Sequence, residues 1–213
     1  MTSLQRIGGY ERSSETEKTV EVSPNGGDLY VAQGSLPYQE MTRQGDGWQV
    51  MNTSALAALV VRPSTLSNLT LWNGELAGGK SYVVFRVMAF NLVSTAAEAR
   101  AGIWLCSHPV NMTAPTADIT AIKSTRGKAT YAGRAVVDTN ATVVDDGWFP
   151  WGDGKFDVEP TGVLPGAIST PRIDGAIIIP PQAGLSIQVV AGVVGNTYTC
   201  GFHWFEKVLT LPS

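Results

Sequence analysis

Charge is scarce in this sequence. Asp, Glu, Lys and Arg make up 15% of its 213 residues, against roughly 25% in globular chains. The formal net charge of −3 argues against sequence-blind nucleic-acid binding, which depends on clustered Lys and Arg. Only two cysteines are present, too few for a disulfide scaffold. No apolar run reaches the roughly 18–20 residues that span a bilayer as a helix. The start, Met1-Thr2-Ser3-Leu4-Gln5-Arg6, does not lead into the apolar stretch of a secretory signal. These absences point away from nucleic-acid and membrane partners. The remaining composition is enough to fold: 44% hydrophobic residues, with six Trp, six Tyr and six Phe to bury, punctuated by 23 Gly and 12 Pro. The length suits one domain, or one domain with an appendage.

The first 47 residues differ from the rest. Large apolar residues are scattered among polar stretches such as Glu11-Arg12-Ser13-Ser14-Glu15-Thr16-Glu17-Lys18. Only Thr19–Val22 and Leu29–Ala32 look strand-like, with Pro24-Asn25-Gly26-Gly27 as the turn between them. Such a segment buries too little surface to offset its ordering entropy alone. It reads as an extended N-terminal arm (residues 1–47) ahead of a β-sandwich domain (48–213).

From Trp48 onward the period is two. In Ser81–Val93, Tyr82, Val84, Met88 and Phe90 fall on one face, and Val83, Phe85, Val87 and Ala89 on the other. Both faces are apolar, as in a strand held between layers or lying at a subunit interface. Arg86 interrupts the first face and needs a partner if buried. Ala101–Ser107 is a second strand, and the Ser94–Ala99 link has room for one helical turn. Ile177–Ile179 is stopped by Pro180-Pro181-Gln182-Ala183-Gly184, after which Leu185, Ile187, Val189 and Ala191 alternate with Ser186 and Gln188. Thr197–Leu209 sets Tyr198, Cys200, Phe202 and Trp204 against Thr199, His203 and Lys207. Further strand candidates are Val50–Val61, Leu69–Trp72, Ile119–Lys123 and Ala129–Val144. No segment carries a helical period over about ten residues. The expected class is all-β, a sandwich or barrel.

Motifs for chemistry fail in context. Gly74-Glu75-Leu76-Ala77-Gly78-Gly79-Lys80-Ser81 matches the phosphate-binding P-loop, but that chemistry needs a helix after the loop. The run after Ser81 is Tyr-Val-Val-Phe-Arg-Val, β-branched and a poor helix, so a Gly-rich connection between strands is expected. Asp145, Asp146, Asp153, Asp157 and Glu159 gather around Trp148-Phe149-Pro150-Trp151. A hard cation wants several loop oxygens and a sugar ring wants an exposed Trp face; the spacing matches no EF-hand, and the default is an acidic loop anchored by its aromatics. Asp145, Asp146, Trp148, Trp151, Asp153 and Asp157 are therefore the candidate ligand or interface loop. His108 and His203 are the only histidines. A zinc site built on them would draw on Cys106 and Cys200. Cys106 and His108 share a strand face, whereas Cys200 and His203 point opposite ways. Free buried thiols are the expectation, with a disulfide open only to neighbouring strands. No nucleophile elbow or paired carboxylates mark an enzyme, and no cofactor or metal is implied. Asn-x-Ser/Thr sequons at Asn52, Asn68, Asn111 and Asn140 are attributed to chance.

One succession of segments resembles a known family. Phe90-Asn91-Leu92-Val93-Ser94-Thr95-Ala96-Ala97 leads into Ala101-Gly102-Ile103-Trp104-Leu105-Cys106-Ser107-His108-Pro109. Next come Ala114-Pro115-Thr116-Ala117-Asp118-Ile119-Thr120, Asp145-Asp146-Gly147-Trp148-Phe149-Pro150-Trp151-Gly152 and Ile177-Ile178-Ile179-Pro180-Pro181-Gln182-Ala183-Gly184-Leu185. Over residues 80–209 this order resembles the virion structural proteins of tailed bacteriophages, in particular jelly-roll capsid decoration or cement proteins. The resemblance implies a jelly-roll-like β-sandwich, commonly a homotrimer. It also implies a partner, the major capsid protein, and a place on the capsid surface of the virion. The alternative is a tail, collar or head-fibre protein that binds host glycans through Trp148 or Trp151.

Overall fold

A computed structural model describes residues 21–22, 28–29, 37–93, 99–108, 115–116, 119–127, 130–158 and 168–209. The chain divides into two compact units, Met1–Gln44 and Gly45–Ser213. In the first, β1 (Glu21–Val22) pairs antiparallel with β2 (Asp28–Leu29); the turn expected at 24–27 lies outside the described residues. The same unit holds a helix the sequence pattern does not announce, α1 (Pro37–Gln44). Eight residues are too few for a visible period, and local bonds supply the order. Arg43 pairs with Glu40 one turn away, Gln44 donates to Glu40, and the Thr42 hydroxyl donates to the Tyr38 carbonyl. Gly45, at φ +90°, ends it in the left-handed conformation that a Cβ disfavours.

The second unit is all-β. Its strands are β3 (Gly47–Met51), β4 (Leu56–Ala57), β5 (Leu69–Asn73), β6 (Lys80–Val93), β7 (Ala99–His108), β8 (Lys123–Ser124), β9 (Ala135–Asp138), β10 (Phe149–Val158), β11 (Ile168–Ser169), β12 (Ile178–Ile179), β13 (Gly184–Ala191) and β14 (Thr197–Val208). They form two antiparallel sheets. One is five-stranded, β10-β7-β13-β5-β9; the other is seven-stranded, β11-β6-β14-β3-β8, with β12 also on β6 and β4 also on β14. The pairing is nested. β3 lies on β14, β5 on β13, β6 on β11 and β12, and β7 on β10. A ribbon folded back on itself and rolled up in this way is the winding of a jelly roll.

The sheets face each other across a core of fully buried side chains. Leu71, Leu105, Leu185 and Ile187 come from the smaller sheet, and Tyr82, Val84, Tyr198, Phe202 and Trp204 from the larger. Both cysteines are free and buried. They lie in different sheets, Cys106 on β7 and Cys200 on β14.

Three features depart from the sequence pattern. First, the faces of β6 exchange partway along. Tyr82, Val84, Val87 and Ala89 are buried in the core, while Val83, Phe85, Met88 and Phe90 are only partly covered. Opposite β14 the register runs Trp204↔Val84 and then His203↔Arg86. Phe85 is thus an extra residue, a bulge that inverts the parity of the residues after it as far as Asn91. Arg86 leaves the core face in the process and lies with its guanidinium 5.3 Å from the Phe85 ring. Second, the stretch read as one acidic loop is divided: residues 145–148 are loop, but Phe149–Val158 is a strand on β7. The ladder shifts between Trp151 and Phe156, and Gly152, at φ +102°, breaks the alternation that would have announced the strand. Third, the strands expected at Ile119–Lys123 and Ala129–Val144 shorten to β8 and β9. The Ser94–Ala99 link has residues 94–98 outside the described set.

Candidate functional site

Two places in the sandwich gather chemistry or exposed apolar surface. The first is the outer face of the larger sheet. The bulge at Phe85 directs Phe85, Met88 and Phe90 outward, beside Met51 and Gln49 of β3 and His203 of β14. Phe85 meets the His203 ring edge-on at 5.0 Å and Phe205 at 6.0 Å. Next to this aromatic group lies an open hollow of about 340 Å³, lined by Gln49, Val50, Met51, Met88, Ala121 and Lys123. Gly201, paired with Met51 and Met88 in the register, is closely covered: a Cβ there would lie 2.7 Å from the Val50 carbonyl oxygen and 3.0 Å from Met88 Cε. Met51 is 41% exposed. Two polar atoms on this face, Arg86 Nε and His203 Nε2, are buried without a hydrogen-bond partner. Burial, and then the Arg86 charge, push the His203 pKa down to about 4.

The second place is the outer face of the smaller sheet. Period-two alternation on β7 sends Ala101, Ile103 and Leu105 into the core and Trp104, Cys106 and His108 outward. That face is covered. The segment between β9 and β10 folds over it, packing Ala141, Val143 and Trp148 on Cys106 and Trp104 in a small second core. Backbone bonds tie this strap to residues 64–67: Ser67 N to Ala141 O, Val143 N to Thr65 O and Asp145 N to Ser64 O, at 3.1, 2.8 and 3.3 Å. The Arg62 guanidinium donates to the carbonyls of Asp146 and Trp148.

The candidate residues of the acidic stretch are dispersed by this arrangement. Trp148 is 2% exposed, so its face cannot serve a sugar; it is a core residue of the strap. Trp151 is half-buried on β10 and donates its indole N–H to the Arg172 carbonyl. Asp146 is exposed. Asp153 and Asp157 fall on β10, with Asp157 opposite Arg100 in the register; their side chains, and all of Glu159, lie outside the described residues. Asp145 goes elsewhere, to Cys106 and His108, where one ligand atom from each of the three lies within 4.8 Å of the others.

The P-loop-like stretch is a connection from β5 to β6, and so from one sheet to the other. Lys80 reaches the Glu206 carboxylate at 3.4 Å rather than an open phosphate cradle. Asn52 and Asn68 are buried and hydrogen-bonded to backbone, Asn52 to Cys200 N and Ser54 O and Asn68 to Val189 N and Ala57 O. Neither can accept a glycan. Asn111 lies outside the described residues. The close approach over Gly201 has a single sign in the sequence, a glycine within an otherwise bulky strand. No protein-family model matches the chain, and no curated protein matches it in sequence.

Proposed function

We propose that this is a virion structural protein, a capsid decoration or cement protein that assembles as a homotrimer and clamps the major capsid protein lattice at the capsid surface. The outer face of the larger sheet carries the reading. Phe85, Met88, Phe90 and the exposed Met51 make an apolar surface rimmed by Lys123 and Arg86. An apolar centre with a polar rim suits a protein partner. The β-sandwich, the low charge and the resemblance over residues 80–209 support the same role, for adhesion needs surface rather than paired titratable groups. A polar arm laid over a lattice adds contacts at modest affinity per unit area. Binding only the expanded shell then stabilises it by mass action.

Cosedimentation with expanded, undecorated heads tests the proposal. The protein binds and raises the melting temperature of the heads, and Met51→Glu, exposed and so tolerable to the fold, weakens binding about 30-fold if Met51 carries roughly 2 kcal/mol at the interface centre. A parent protein that does not bind heads overturns the decoration role; a Met51→Glu variant that binds as the parent does overturns this face as the contact. Sedimentation equilibrium showing a monomer at micromolar concentration overturns the trimer. The tail or fibre alternative has lost Trp148 to burial and rests on Trp151 alone.

A further inference from the structure

We propose that Cys106, His108 and Asp145 form a zinc site beneath the strap of residues 139–148, with a fourth position open toward solvent at the Asp145–Gly147 turn. The three side chains arrive from two directions. Cys106 and His108 lie two apart on β7 and face the same way. Asp145 is delivered by the strap, whose backbone bonds to Ser64, Thr65 and Ser67 fix its path over the sheet. Cys106 Sγ and His108 Nδ1 are already 3.8 Å apart, and the carboxylate completes a set within 4.8 Å. In a tetrahedral site with bonds of roughly 2.0–2.3 Å, ligand atoms lie about 3.5 Å from one another. An inward shift of Asp145 of about 1 Å closes the difference, and Asp145 sits on a partly exposed turn beside Gly147.

A chain of hydroxyls sets the imidazole for this role. The Ser67 hydroxyl donates to the Ala141 carbonyl at 3.3 Å. It also lies 2.8 Å from Thr70 Oγ1. Thr70 Oγ1 is 2.6 Å from Ser186 Oγ, and Ser186 Oγ is 2.8 Å from His108 Nε2. The chain holds the ring by Nε2 and leaves Nδ1 facing Cys106; with the ring proton on Nε2, the Nδ1 lone pair is free for an ion. Metal-bound histidines are oriented in this way, by a hydrogen bond from the nitrogen that does not bind the ion.

In that tautomer, and without an ion, the cluster is short of donors. His108 Nδ1 and the Asp145 carboxylate are both acceptors, and the Cys106 thiol has one proton for the two of them. Asp145 Oδ1 also takes the Gly147 N–H, but nothing else among the described contacts reaches Nδ1. A divalent cation satisfies all three groups at once. Thiolate and carboxylate balance its charge, so the buried site is neutral. Sulfur, imidazole nitrogen and carboxylate oxygen together suit Zn²⁺ better than the oxygen-only preference of Ca²⁺ or Mg²⁺. Bound there, the ion would pin the strap to β7.

Co²⁺ substitution reads the site directly. The full chain, stripped with chelator and titrated with Co²⁺, develops the d–d bands of a tetrahedral ion together with a thiolate-to-cobalt charge-transfer band. Cys106→Ser abolishes the charge-transfer band, whereas Cys200→Ser keeps it. Asp145→Asn, at a partly exposed turn that does not threaten folding, weakens binding at least about tenfold, and Ser186→Ala weakens it about 10- to 100-fold. Absence of the charge-transfer band in the parent, its survival in Cys106→Ser, or unchanged affinity in Asp145→Asn overturns the proposal.

Discussion

Replacing Glu206 with alanine should cost the fold more than replacing either Lys80 or Arg86, the other charged residues on the strands beside it. The Glu206 carboxylate is 2% exposed, near one end of β14. Its Oε1 accepts from the Tyr131 hydroxyl at 2.7 Å and from the Trp204 indole at 3.3 Å, and Oε2 faces Lys80 Nζ at 3.4 Å. Removing it strands two buried donors, at about 1–3 kcal/mol each. Lys80 is 46% exposed and turns to water, so its share is under about 1 kcal/mol. The expected loss is about 4 kcal/mol, the middle of the range for two stranded donors. At about 2–4 °C per kcal/mol for a chain of this size, Tm falls by about 8–16 °C in calorimetry. Lys80→Ala, by the same reasoning, shifts it by only about 2–4 °C. If the Glu206 and Lys80 variants unfold at the same temperature, Glu206 is not the hub that these distances describe.

The outer face supplies two more predictions. His203 is held neutral by burial and by Arg86, its pKa lowered to about 4, with Arg172 bridged to Arg86 on the adjacent backbone. Between its unfolded pKa of about 6.5 and about 4 the unfolded chain binds more protons, so stability falls as pH drops through that window. His203→Gln should flatten this part of the urea-denaturation profile, and a profile identical to the parent's would exclude His203 as its source. Gly201→Ala should destabilise by about 1–3 kcal/mol, although alanine ordinarily suits a strand better than glycine. Its Cβ would stand 2.7 Å from the Val50 carbonyl oxygen, a backbone atom that cannot swing aside; an alanine variant as stable as the parent would show that β3 shifts freely.

Alternation made β13 and β14 legible, because their apolar core residues, Leu185, Ile187, Val189 and Ala191 and then Tyr198, Cys200, Phe202 and Trp204, keep one parity. The bulge at Phe85 was not legible, since an inserted residue in a strand with two apolar faces leaves no discontinuity in the hydrophobic pattern. β10 was hidden for the opposite reason: glycines and acidic residues interrupt it, and only pairing with β7 makes Phe149–Val158 a strand. The shared face of Cys106 and His108 followed from spacing alone. Asp145 did not, because its place depends on how the strap crosses the sheet, which is set by backbone bonds to Ser64, Thr65 and Ser67 and by Arg62. Trp148 reads in the sequence as an anchor of its loop, with a sugar platform as the alternative, and it is a core residue; what it anchors against was not legible, because sequence does not say that the outer face of a sheet will be roofed.

The position of β14 constrains the order in which the molecule can be made. It is among the last segments of the sandwich to be synthesised, yet it lies at the centre of the larger sheet, between β3 and β6, and carries Tyr198, Phe202 and Trp204 into the core. Until residues 197–208 leave the ribosome, β3 and β6 have no partner between them. Both then present open strand edges and uncovered apolar faces, the surfaces through which nascent chains stick to one another. The sheet cannot assemble strand by strand during translation; it closes late and in one step, when the final strand inserts. A cell producing many copies at once would therefore hold a pool of chains whose larger sheet is still open, and yield would depend on how quickly the insertion of β14 outruns aggregation.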